Sequence, residues 1–96
     1  MIEFVLDPVK NLLNQRKHGV SFEEAQTVFL DEHALLEFDE AHSDEEERFR
    51  LLGRSDQNNI LLVVHCVRDE TVIRIISARA ATATERRGYE RSAVQW

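Results

Sequence analysis

One cysteine, three glycines and no apolar run longer than Ile60 to Val64 bound this 96-residue chain before any motif is sought. A lone Cys66 has no internal disulfide partner, so a reducing compartment is the natural setting. It sits in an apolar run, which points to a buried structural thiol rather than a nucleophile. The Ile60–Val64 run is far short of the ~20 residues that cross a bilayer. Met1-Ile2-Glu3-Phe4 brings an acid early and no basic segment, unlike a secretory signal, so a cytoplasmic protein is expected. Three glycines leave no phosphate-cradling loop. The histidines at 18, 33, 42 and 65 form no i, i+4 pair and stand near no cysteine array, so no zinc site is expected. With 43% hydrophobic and 31% charged residues the chain needs neither a metal nor a disulfide to fold, and cofactor-free chemistry is the simplest expectation.

A net charge of −6 argues against nucleic acid, because phosphate contacts dominate such affinity. The distribution of that charge along the chain weakens the argument. Glu37 to Glu47 holds seven acids (37, 39, 40, 44, 45, 46, 47) and no Lys or Arg. Lys10 to Lys17 carries three basic residues and no acid, and Arg74 to Arg91 carries five arginines against two acids. The acidity is local, and local potential steers a polyanion.

Hydrophobic spacing divides the chain into eight elements in one domain over residues 1–96. Ile2 to Leu6 reads as a strand, closed by Asp7-Pro8 as cap and first turn of a helix. Val9, Leu12 and Leu13 follow at helical spacing, and Gly19 stops that helix. Ser21-Phe22-Glu23-Glu24 is a capping box opening a second helix with Phe22, Ala25, Val28 and Phe29 along one stripe. Ala34 to Phe38, Arg48 to Gly53, Ile60 to Val67 and Thr71 to Ala78 read as strands, with Asp56 to Asn59 a hairpin turn. The Ile60–Val67 run is broken only by His65, as in a central strand. Thr82 to Glu85 is a second capping box, and its helix runs through Arg86, Arg87, Tyr89 and Glu90 with few apolar residues. The expected fold is α+β: an antiparallel sheet of four to five strands with two N-terminal helices and a C-terminal helix.

Two segments carry a resemblance. The first is Asp7-Pro8-Val9-Lys10 with Asn14, continuing through Lys17-His18-Gly19-Val20-Ser21-Phe22-Glu23-Glu24-Ala25. The second is Arg74-Ile75-Ile76-Ser77-Ala78-Arg79-Ala80-Ala81 with Glu85, Arg86 and Tyr89. Together with Glu47 to Phe49 and the central strand, they resemble the BrnT family of toxins. The resemblance implies a RelE-like fold, a ribonuclease activity that blocks translation, and a BrnA-type antitoxin partner. DNA would be met only indirectly, through that antitoxin.

RNA cleavage without a metal needs a base for the 2′-hydroxyl, an acid for the leaving oxygen and cations around the phosphate. Candidates for the chemistry are Lys17, His18, Arg48, Arg74 and Arg79, with Lys10, Arg50, Arg86 and Tyr89 as RNA contacts. His18 is either a proton shuttle or a cation complementing its helix C-terminus. Arg79 suits a phosphate near the Thr82 cap, or an ion pair with Glu85 or the acidic segment. Arg74 and Arg79 point to opposite faces of a regular strand, unless a bulge intervenes. Arg48 and Arg50 share the face opposite Phe49 and Leu51. His65 is read as a core histidine, and Tyr89 either stacks on a base or packs its helix. An alternative is an interaction module of little or no activity whose acidic segment takes a basic partner. A DNA-binding regulator ranks last, since no helix-turn-helix or basic recognition helix is present.

Overall fold

Capping chemistry sets the start and stop of each N-terminal helix. In the computed structural model, which describes residues 1–43 and 46–93, strand β1 (Glu3–Val5) leads into helix α1 (Pro8–His18). The Asp7 carboxylate accepts from Val9 N and Lys10 N, and Gly19, at φ 72°, donates to Gln15 O. Helix α2 (Phe22–Thr27) starts at Ser21, whose hydroxyl accepts from Glu24 N at 3.0 Å, and runs on as a 3-10 turn, Val28–Leu30. Only half of the expected box forms there. The Glu24 carboxylate turns to Ser55 Oγ (2.6 Å) and Asn59 Nδ2 (2.9 Å), tying α2 to the turn between two strands.

Strands β2 (Leu35–Phe38), β3 (Arg48–Arg54), β4 (Ile60–Arg68) and β5 (Val72–Ala80) follow, then helix α3 (Ala83–Ala93). Among the described residues these make three α-helices and a five-stranded sheet in the order β1-β5-β4-β3-β2. Pairing from β2 to β5 is antiparallel, as short turns require. The wholly antiparallel expectation needs correction at one edge: β1 runs parallel to β5, so the sheet is mixed. No hairpin joins these two strands. Their order is set by a route through the whole chain, and the free edge of β5 accepts either direction.

That edge explains a second difference. Val9, Leu12 and Leu13, the apolar set of α1, are 67, 50 and 56% exposed, while Asn11 and Asn14 are buried. β1 covers β5 only from Val72 to Arg74. Past its end, Asn14 acts as a strand substitute, donating to Ala78 O (2.8 Å) and accepting from Ala78 N (3.1 Å). Asn11 accepts from Phe22 N at 2.9 Å and fixes the entry to α2. Unpaired buried backbone groups cost more than apolar exposure at these positions, so the polar side faces inward.

One face of the sheet is closed by α2. Val20, Phe22, Ala25 and Val28 pack on Leu51, Leu61, Val63, Ile75 and Ala78. Gly53 lies under Val28 and Ala34, and a Cβ there would come within 2.9 Å of each. His65 belongs to this face, edge-on to Phe29 and stacked on Phe49. Burial pushes its imidazole pKa below 6.5. Helix α3 docks mainly through Tyr89, and its box is complete: Thr82 N donates to Glu85 Oε1 and Glu85 N to Thr82 Oγ1. Among the described residues no helix is long and apolar enough to cross a membrane.

Candidate functional site

On the face of the sheet that α2 leaves open, one irregularity decides which side chains stand together. From Leu61 to Val64 the β4 residues pair with Ala80 to Ser77, but His65 pairs with Ile75, leaving Ile76 as an extra residue on β5. A bulge of this kind inverts the alternation of side chains beyond it. Arg74 and Arg79, an odd number of positions apart, therefore fall on the same face. Cross-strand rows make the result explicit. Arg48 is level with Cys66 and Arg74, Arg50 with Val64 and Ser77, and Leu52 with Leu62 and Arg79. On the face that α2 leaves open, where Arg54 and Arg68 also fall, stand these four arginines of β3 and β5.

Carboxylates hold three of them. Arg50 Nη2 donates to Glu37 on β2 at 2.8 Å. Arg79 makes a fork to Glu85, with bonds of 2.8 and 3.1 Å. Arg74 donates to Glu46, which also accepts from Arg68. Hydrogen bonds from Arg68 are the largest of several influences that hold the Glu46 carboxyl below its usual range. Those from Arg79 pull Glu85 down to about 2, and the same pair raises Arg79. The ion-pair reading of Arg79 is thus the one realised in the protein alone. Arg50 and Glu37 are exposed enough that their pair is worth about 0–1 kcal/mol. A phosphodiester with the same charge could replace Glu37 at little cost.

A groove of about 680 Å³ runs over this face. Its floor is Leu35, Leu52, Leu62 and Val64; Arg50, Arg79, Glu37 and Glu85 line it, together with Asp39 and His42. The last two are a pair that sequence reasoning did not single out. Asp39 and His42 lie in the 3-10 turn Glu40–His42 and its N-terminal flank, where the sequence showed only an acidic loop. The sole signal was an Asp and a His three residues apart, which is common on surfaces. Asp44 and Glu45 of that acidic run lie outside the described residues.

Arg48 and Arg74 share the face without lining this groove, and the remaining candidates are placed elsewhere. Lys10, Lys17 and His18 line a second groove of about 220 Å³ with Leu13, Asn14, Ile76 and Ser77. It flanks the free edge of β5 and is distinct from the arginine groove, although Ser77 is level with Val64 of the latter. Arg86 is exposed on α3, next to Glu85, and does not line the arginine groove. Tyr89 is 3% exposed, its hydroxyl donates to Asp31 Oδ2 at 2.6 Å, and Arg54 lies 5.8 Å from its ring centre. Its ring holds α3 against β3 and offers no face to a base. Among the described residues no group of three His, Cys, Asp or Glu side chains is placed to hold a metal ion.

A family model described as the ribonuclease toxin BrnT of type II toxin–antitoxin systems matches residues 6–85. That span contains both grooves and stops short of Arg86 and Tyr89. No curated protein sequence gives a match. Among solved structures, the chain is similar to the ribonuclease toxin BrnT of Brucella abortus, known from a 1.1 Å crystal structure. The TM-score is 0.63 at 19% identity, over 85% of this chain and 99% of that one. At that identity the likeness speaks for the fold.

Proposed function

Because the chain belongs to the BrnT family of type II ribonuclease toxins, we propose that its open arginine face binds and cleaves RNA. The carrying observation is the bulge at Ile76, which turns Arg74 and Arg79 to the side of Arg48 and Arg50. A row of guanidinium forks over an apolar floor suits a single strand, with phosphates on the arginines and bases against Leu52 and Leu62. Arg79 and Arg50 take the scissile phosphate and a neighbour. One preorganised donor of this kind is worth about 10²–10³ in rate. Only an RNA long enough to pass Ser77 would reach Lys10, Lys17 and His18, and Arg86 lies at the other end of the path.

Cleavage proceeds without a metal in this reading, and loss of message arrests translation in the cytoplasm. The fold is of the RelE kind, and a BrnA-type antitoxin neutralises the activity. Purified protein should cut total RNA at micromolar concentration in EDTA, and Arg79→Ala should slow it by about 10²–10³. Intact RNA with the parent chain, at any salt, would overturn the reading. Such a result would favour the second one, an interaction module whose arginines serve only their ion pairs with Glu37, Glu46 and Glu85.

A further inference from the structure

The arginines supply charge but no group that exchanges a proton near neutrality, since a guanidinium stays protonated. Among the described residues that line the groove, His42 is the side chain that does. Its Nδ1 lies 3.1 Å from both oxygens of Asp39. A carboxylate only accepts, so Nδ1 carries the hydrogen, and in the neutral ring the lone pair is left on Nε2. Asp39 is buried while the His42 side chain is 66% exposed, so the anchor is fixed and the imidazole stands open to the groove.

The turn that carries the pair is built to hold it. Asp39 N donates to Arg48 O at 2.8 Å, and Arg48 N donates to Ser43 Oγ at 3.0 Å. Ser43 Oγ in turn donates to Asp39 O at 2.6 Å, and His42 N reaches the same carbonyl. Residues 39 to 43 are stapled to the first residue of β3, two positions from Arg50. An oriented imidazole beside paired guanidinium groups has the parts of a metal-free nuclease site.

From this geometry we infer that Asp39–His42 is the proton-transfer dyad of the arginine groove, with His42 Nε2 the general base and Asp39 its positioning residue. The inference rests on the reading of that face as an RNA site. In the step it performs, the 2′-oxygen attacks phosphorus as its proton passes to Nε2. The bond from phosphorus to the 5′-oxygen breaks, leaving a 2′,3′-cyclic phosphate and a 5′-oxygen that takes a proton from water. His42 then returns its proton to solvent. Glu37, Glu85, Arg50 and Arg79 face the same space, and their charges set the electrostatic environment of the imidazole.

The test is cleavage of a single-stranded RNA across pH 5–9 by the parent chain, His42→Ala, His42→Gln and Asp39→Asn. Since His42 is largely exposed, its replacements should leave thermal unfolding unchanged. Both should lose about 10²–10⁴-fold in rate together with the acid limb of the pH profile. Asp39→Asn should lose less and move that limb. Added imidazole should restore part of the activity of His42→Ala and none of Arg79→Ala. A parent that cuts while His42→Gln keeps its rate and pH profile overturns the dyad and leaves the RNA site standing. A parent that cuts nothing overturns both.

Discussion

The two faces of the same sheet are built by different rules. On the helix-covered face Phe22, Val28, Leu61, Val63 and Ile75 are sealed together, and volume decides which residues fit. On the open face Arg48, Arg50, Arg74 and Arg79 stand in rows, and what matters is which way each guanidinium points. The first face carries most of the stability; the second, on the proposal made above, carries the chemistry. Losses of stability and of activity should therefore come from different substitutions.

The largest separation should come from paired truncations. Phe22→Ala should lower unfolding free energy by about 3–5 kcal/mol in urea titration, the cost of emptying a sealed aromatic site. Arg50→Ala on the opposite face should change it by no more than about 0.5 kcal/mol. Equal losses would erase the distinction between the faces.

A smaller effect tests the edge where they meet. Asn14→Leu adds apolar surface to α1 but strips Ala78 of both its partners. The loss should be about 1–3 kcal/mol by the same titration. A more stable variant would show that α1 holds its place by hydrophobic contact instead.

Acid titration separates the faces by charge. Glu85 in the folded protein has its pKa at about 2 against an ordinary 4.5, so the unfolded chain binds the proton more readily. Its contribution is whole above pH 4.5 and is lost as pH falls toward 2. For a partly exposed pair it amounts to about 1 kcal/mol or less. In Glu85→Gln the melting temperature should fall less steeply over that window, and an unchanged slope would dismiss the pair.

The smallest effect belongs to the covered face. Folding keeps His65 neutral, so stability should decline as pH drops below 6.5 and level off below its folded value. His65→Phe, set between Phe29 and Phe49, should flatten that decline in melting curves from about pH 7 to 5.

Legibility in the sequence follows the same division. Helix caps at Asp7, Ser21 and Thr82, the Gly19 stop and the turn before Ile60 are readable because each is a local signal. So is the core stripe of α2, whose spacing needs no partner to be seen. The parallel β1 is hidden because its partner lies across nearly the whole chain. The inward side of α1 is not readable because Asn14 is buried by a gap beside β5, which spacing does not show. The arginine face is legible as residues but not as a site: alternation alone sends Arg74 and Arg79 apart, and the backbone bulge at Ile76 leaves no mark in side-chain pattern. Tyr89 is open to two readings until its hydroxyl is seen on Asp31, 58 residues away. Asp39 and His42 are masked by the run of acids around them.

The proposed chemistry turns on RNA lying along the arginine face rather than along the cations of α1. An NMR titration decides it directly, using a short single-stranded RNA of mixed sequence with riboses 2′-O-methylated so that it binds without being cut. The largest shifts should fall at the side-chain Nε of Arg50 and Arg79 and at the imidazole of His42, with only small changes at Lys10 and Lys17. Shifts confined to Lys10, Lys17 and His18, with the arginine signals unmoved, would put the RNA in the other groove and refute the assignment.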